Sequence, residues 1–575
     1  MSMLTPTENK TLEQKLGGFA SLTDGLDYAA RGETGFNFYS ARGALDIAMP
    51  YADLRERALT AARRLKGFGL QRGDRVCVIA ETSPEFMAVF FGCQYAGLIP
   101  VPLPYSMYIG GHNAYVKRLS GMIGNAGANL VLAPEGLHKL VCEAAELADC
   151  DICITHEAFN ELPVKRIELE PLTAEDPAYI QYSSGSTSDP KGVMVTQQAI
   201  AANARGIHQG MQLTPGERGF SWLPLYHDMG LVGFFLSPLL GQCSIDYLST
   251  PAFARRPLLW LKIMSDNGCA VAFSPSFGYE LAVRRLRNEL DELDLSKWRI
   301  AGIGGDMVRP EILNSFGETF APAGFDANAF VPSYGMAEAT LAVTFPPLDR
   351  KIKVDRIDLA QAKMFRRAVP RQETDQDGAV TTRDFVACGK IIDGHELCVR
   401  DDHGKELGER EIGHILIKGP SIMGGYFENP AATENVMQPD GWMDTGDMGY
   451  LLDGEIVITG RSKDLILHNG RNIWPQDIEW AAEAIAPLRH GDAAAFSIEE
   501  DNDERVVVLV QCRTADQEQR NSLRREIGAV IQRHAGVDCN VVLVPPRSLP
   551  FTSSGKLSRM GAKTGFLSGQ IAEVS

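Results

Sequence analysis

The chain has 575 residues, 45% hydrophobic and 22% charged, with a formal net charge of −17 at pH 7. That length exceeds one ordinary core and predicts two or more domains, while the composition excludes a disordered or fibrous chain. The acidic balance, with no basic run, argues against nucleic acid or an anionic membrane as partner.

In chain order, Met1 to Leu22 is polar, mixed in charge and without the apolar core of a signal peptide. Tyr51 to Gly67 reads as a helix, Asp74 to Ala80 as a strand, Ser83 to Tyr95 as a helix and Ile99 to Leu103 as a strand. The longest apolar stretch, Phe86 to Pro104, is broken by Gln94, Gly97 and three prolines. It fits a buried helix running into a strand, and no stable membrane insertion is expected. Cys150 and Cys153 lie near Cys142 and His156, a set with zinc-ligand chemistry. With no second Cys-x-x-Cys, and with Asp151 to Ile154 reading as a short strand, these cysteines are taken as small buried hydrophobes. Eleven scattered cysteines predict a reducing cytoplasm.

Alternation recurs in Leu258 to Asn267, Val271 to Ser274 and Arg299 to Gly304, predicting α/β layers with largely parallel sheets. Arg350 to Asp384 is dense in charge and poor in large apolar residues, so by composition it is a solvated surface loop. Cys388 to Thr459 is strand-rich, with turns at Asp401 to Gly404 and Asp453-Gly454, and predicts a β-rich subdomain. After Gly460-Arg461-Ser462-Lys463-Asp464 comes a small α+β unit with helices at Asp477 to Ile485 and Asn521 to His534. Its strands are Arg505 to Val510 and Cys539 to Val544, and the expected division is 1–462 and 463–575 on a polar hinge.

The most informative segment is Tyr182-Ser183-Ser184-Gly185-Ser186-Thr187-Ser188-Asp189-Pro190-Lys191, placed between a strand and the apolar run Val193-Met194-Val195. Glycine turns backbone N–H groups inward, and hydroxyls and a lysine add donors, so such a loop can wrap a polyphosphate. It is not the Walker pattern, since Gly192 follows the lysine. The segment resembles the phosphate loop of the adenylate-forming enzymes, which activate carboxylates with ATP and Mg²⁺. The resemblance covers nearly the whole chain and assigns parts residue by residue. Ser183, Ser184, Gly185, Ser186, Thr187 and Lys191 would hold phosphates. Pro332-Ser333-Tyr334-Gly335-Met336-Ala337-Glu338 resembles the adenine and magnesium segment, with Tyr334, Gly335 and Met336 at the base and Glu338 as metal ligand. Gly305 and Asp306 stand where the family lines the adenine pocket, although Asp306 departs from its more usual Glu. Asp447, in Trp442-Met443-Asp444-Thr445-Gly446-Asp447, would accept from the ribose hydroxyls. Arg461 would meet ribose or phosphate, Lys463 would be the hinge, and Lys556, in Ser553-Ser554-Gly555-Lys556, would be the catalytic lysine delivered by the small domain.

Within that group the chain looks more like the fatty acyl-AMP ligases. Trp222-Leu223-Pro224-Leu225-Tyr226-His227-Asp228-Met229-Gly230 and Ser274-Pro275-Ser276-Phe277-Gly278 match their segments. The resemblance puts His227 at the substrate carboxylate and Met229, Gly230, Phe277 and Gly278 along the acyl channel. Arg350 to Asp384 also occupies the position of their insertion, which implies restrained domain motion and exclusion of coenzyme A. The implied function is fatty acyl-AMP formation with release of pyrophosphate, then transfer to the phosphopantetheine thiol of an acyl carrier protein in trans. His468-Asn469 and Phe551 depart from the family pattern and bear on the second step. The alternatives are an acyl-CoA synthetase and a non-catalytic nucleotide or acyl-adenylate sensor. The sensor would be expected to lose Lys556, Glu338 or Asp447, and all three are present.

Overall fold

The computed structural model describes residues 12–105, 111–183, 191–371, 382–468, 471–500, 503–552 and 556–574. Helix Pro84–Ala96 explains how the large N-terminal domain is built. Ser83 caps it by accepting from the Phe86 N–H, Gly97 ends it at φ 75°, and every residue between except Glu85 is buried. A helix apolar all round is covered on every side. It packs on helix Tyr51–Leu65, where a Cβ at Gly92 would stand 2.8 Å from that of Ala61.

Two sheets flank this core. One is parallel throughout, in the order Ile99–Leu103, Arg75–Ile79, Leu130–Ala133, Cys153–Thr155. The other has seven strands, from Phe330–Pro332 at one edge to Leu45–Pro50 at the other, and only the last pair is antiparallel. A four-stranded antiparallel sheet follows, from Glu396–Arg400 to Glu455–Arg461.

The C-terminal domain is a sheet of Ala493–Glu500, Asp503–Gln511 and Cys539–Val544 with helices Pro475–Glu483, Gln517–Ala535 and Arg559–Leu567. Strand periodicity divides its core in two: Ala493, Ala495, Val506, Val508 and Val510 enter one cluster, Ala494, Phe496, Val507 and Leu509 the other. Arg559 binds both oxygens of buried Glu479 at 2.7 and 2.8 Å and Asp464 at 2.8 Å. Among the described residues, no helix is long and apolar enough to cross a membrane.

The described part of the charged stretch, 350–371 and 382–384, is not a solvated loop. Val354–Asp358 pairs antiparallel with Thr382–Val386, and helix Leu359–Phe365 follows the first strand, capped by Asp358. Several of its charges are paired: Arg356 with Asp384 at 2.7 and 2.8 Å, Asp358 with Arg371 at 3.0 Å, and Asp355 with Arg410 and the Tyr450 hydroxyl. Lys363 (3.3 Å) and Arg383 both reach Asp477 on helix Pro475–Glu483, tying this unit to the C-terminal domain.

Candidate functional site

A cavity of about 1300 Å³ lies where the C-terminal segment meets the large domain, and Lys556 is in its wall. The phosphate-type loop is rooted by the antiparallel strands Pro177–Ser183 and Lys191–Thr196, whose register sets Ser183 opposite Lys191. Both residues line the cavity, and Lys191 Nζ stands 4.9 Å from the centre of the Tyr426 ring. Ser184, Gly185, Ser186 and Thr187 lie outside the described residues.

Gly304, Gly305 and Asp306 follow strand Ile300–Ile303, and Tyr334 to Glu338 follow the neighbouring strand Phe330–Pro332. Two turns thus reach one wall from the same end of a parallel sheet, the place where α/β folds put their ligands. Gly305 has φ 82°, and a Cβ there would stand 3.3 Å from Met229 Cε and 4.0 Å from Lys556 Cε, so the missing side chain leaves room where the lysine enters. Glu338 accepts from the Tyr426 hydroxyl at 2.9 Å through one oxygen, and the other bonds to no described residue. A half-buried carboxylate with one oxygen available on the cavity fits a hard divalent cation.

The turn Pro224 to His227 leads into the short helix Asp228–Leu231. The His227 N–H donates to Pro224 O at 3.2 Å, and the imidazole packs on the Tyr226 ring at 4.5 Å between centres. A Cβ at Gly230 would be 2.2 Å from Pro224 O, so only glycine lets the helix pass that carbonyl. Trp222, Phe234, Phe273, Phe277, Leu341 and Phe345 give the cavity an apolar wall. Several of these lie back over glycines: a Cβ at Gly302 would meet the Phe273 ring at 2.2 Å, at Gly210 Phe345 at 2.5 Å, and at Gly233 Leu341 at 3.2 Å.

Charge is concentrated at the polar end. Burial, then the Arg461 guanidinium, lower the pKa of Lys556, against the pull of Asp306, Asp228 and Asp447. Burial raises the Asp228 carboxyl, and Lys556 opposes that shift. Asp447 raises the pKa of Arg461. Burial and then Asp447 hold the Tyr334 phenol neutral far above its usual range.

Of the residues expected from the sequence, Lys191, His227, Met229, Gly230, Phe277, Gly305, Asp306, Tyr334, Gly335, Met336, Glu338, Arg461, Lys463 and Lys556 share this cavity with Ser183. Two are not among its lining residues. Gly278 faces the packing behind it, where a Cβ would stand 2.0 Å from Ser274 Oγ and 2.9 Å from Trp222. Asp447, 8% exposed, stands beside the lining residues Thr445 and Gly446, accepting from the Tyr334 hydroxyl at 2.7 Å and pairing with Arg461 at 3.4 Å. Sequence reasoning missed Asp228 and Tyr426. Asp228 lay inside a quoted motif, whereas nothing local singles out Tyr426, which comes from a loop 88 residues beyond Glu338.

Residues 38–427 match the family model described as AMP-binding enzyme. A Caulobacter vibrioides protein, provisionally named an acyl-CoA synthetase, is 47% identical over 99% of both chains. The medium-chain-fatty-acid–acyl-carrier-protein ligase of Moorena producens is 31% identical over 96% of each. A solved structure from a study of fatty acyl-adenylate ligases of E. coli and L. pneumophila superposes with a TM-score of 0.92 at 42% identity, covering 97% of this chain and 99% of that one. Likeness that runs through both domains, at such identity, reaches beyond a shared fold, and the chain belongs to the AMP-binding enzyme family of adenylate-forming ligases.

Proposed function

We propose that the protein activates a fatty acid with ATP to give fatty acyl-AMP and pyrophosphate, then passes the acyl group to the phosphopantetheine thiol of an acyl carrier protein. The observation that carries the first step is the position of Lys556, in one cavity with Asp306, His227 and an apolar wall. The substrate carboxylate attacks the α-phosphorus, the bond to the β-phosphate oxygen breaks, and pyrophosphate leaves with the electron pair. Negative charge grows on the α-phosphoryl oxygens, and a fixed ammonium there is worth more in a dry site than in water. Lys556 supplies that charge, Ser183 and Lys191 contribute to the polyphosphate site, and Tyr334 carries the adenine. Asp447 acts through Tyr334 and Arg461, which it holds. His227 faces the carboxylate, and the rings of the apolar wall take the chain. Glu338 would hold Mg²⁺, which neutralises phosphate charge when bound.

We assign residues 1–462 and 463–575 to the two moving parts, with Lys463 as hinge. Lys463 stands in the single turn Ser462–Asp464 that joins the antiparallel sheet to the C-terminal clusters. A carrier-protein thiol as acceptor is supported by the relative named as an acyl-carrier-protein ligase and by the paired insertion that meets Asp477. Coenzyme A as acceptor is supported by the name of the 47% identical relative. The deciding experiment supplies ATP, Mg²⁺ and a ladder of fatty acids, divides the reaction between coenzyme A and phosphopantetheinylated carrier protein, and reads products by mass spectrometry. Acyl-AMP that persists with coenzyme A and moves to the carrier is expected. Acyl-CoA would replace the acceptor, and no acyl-AMP with any acid would overturn the reading.

A further inference from the structure

Away from the cavity, His138 joins Cys142 and Cys153, two of the cysteines grouped in the sequence. His138 opens helix His138–Glu146 and Cys142 lies one turn on, so both project from the same helical face. Cys153 begins the strand Cys153–Thr155 at the edge of the four-stranded parallel sheet, against which that helix packs. One ligating atom from each lies within 4.8 Å of the other two, and Cys142 Sγ is 3.2 Å from His138 Nε2. All three are half-buried. His156, the histidine nearest Cys153 in sequence, is not part of the group.

As small hydrophobes the cysteines would sit in the apolar core, and Cys150 does so, 5% exposed within its cluster. Cys142 instead faces an imidazole. Tetrahedral zinc with Zn–S of about 2.3 Å and Zn–N of about 2.0 Å sets its ligand atoms roughly 3.5 to 3.8 Å apart, so this triangle is within about an ångström of that geometry. Two thiols and an imidazole suit a soft, four-coordinate d¹⁰ cation and disfavour magnesium or calcium.

We propose that His138, Cys142 and Cys153 form a binding site for such a cation, zinc foremost, with the fourth position left to water. Binding joins two thiolates and one imidazole to the metal and releases two protons to solvent. Pro134, Gly136 and Leu137 line the catalytic cavity directly before His138. A cation stitching the helix to the edge strand therefore fixes that stretch of wall.

The test uses untagged full-length protein, fully reduced, stripped with chelator, loaded with zinc and desalted. About one zinc per chain is expected in the wild type, background in Cys142→Ser/Cys153→Ser, and reduced retention in His138→Ala. Cadmium titration adds a direct signature, thiolate-to-metal absorption in the ultraviolet, present in the wild type and lost in the double variant. Circular dichroism and the metal-free unfolding midpoint confirm that the variants fold. Equal zinc in wild type and double variant overturns the proposal. So does a fully reduced wild type that keeps no zinc.

Discussion

Replacing Gly230 by alanine tests whether the turn that carries His227 is built on backbone contact. The added Cβ would stand 2.2 Å from Pro224 O, more than an ångström inside ordinary contact, and 2.8 Å from Pro224 C. Both atoms are main chain, so relief requires the turn or the helix Asp228–Leu231 to move. Overpacking of this kind costs about 1–3 kcal/mol of stability. The larger effect falls on catalysis, because the Pro224 carbonyl accepts from the His227 N–H and any shift carries His227 and Asp228 with it. A displacement of about 1 Å at a reacting group costs on the order of 100-fold in rate. The assay is pyrophosphate release with saturating ATP across a fatty-acid series, paired with thermal unfolding. The control is Gly528→Ala, in the middle of helix Gln517–Ala535 with nothing within 4 Å, which gains about 0.5–1 kcal/mol and keeps its rate. A Gly230→Ala enzyme with unchanged kcat, KM and unfolding midpoint would refute the reasoning.

Lys556→Ala should lower the adenylation rate by roughly 10²–10³-fold while ATP affinity measured by calorimetry stays near the wild type; equal losses in both would contradict its transition-state role. Arg559→Ala leaves Glu479, 3% exposed, as a buried carboxylate without its bidentate partner, and should destabilise the protein by about 3–5 kcal/mol in urea unfolding. Burial lowers the pKa of His208 from 6.5 to about 4, and its Nε2 bonds Ser237 O at 2.8 Å. The folded state therefore refuses a proton that the unfolded chain takes, so this group's stability is complete above pH 6.5 and falls with pH towards 4. The loss is about 2 kcal/mol at pH 5 and roughly 3 kcal/mol at saturation. His208→Gln should flatten that limb of the stability curve, and identical pH slopes for the two proteins would remove His208 as its source.

What the sequence revealed followed the range of the interactions involved. Helix Pro84–Ala96 announces itself through Ser83, its apolar run and Gly97, all local, and Ile99–Leu103 was placed to the residue. Many of the cavity residues were legible because they stand in contiguous motifs such as Tyr334 to Glu338. Composition alone offered only a solvated loop for the charged insertion, because net polarity does not distinguish solvated charges from paired ones. Asp355 finds Arg410 and Tyr450, 55 and 95 residues away, and only the fold brings them together. Gly278 was placed on the cavity by motif, while the geometry packs it against Ser274 and Trp222. Tyr426 was invisible for the same reason as Arg410: its partner is distant in sequence.

The glycines behind the apolar wall have a consequence for engineering. Phe273 and Phe345 lean into the space left by Gly302 and Gly210, neither of which lines the cavity. A methyl group added at one of these positions has to push its neighbour forward into the cavity. Tuning the enzyme to shorter substrates thus calls for no change in any residue that touches them: the ruler is set from behind, by whichever glycine lets a ring recline.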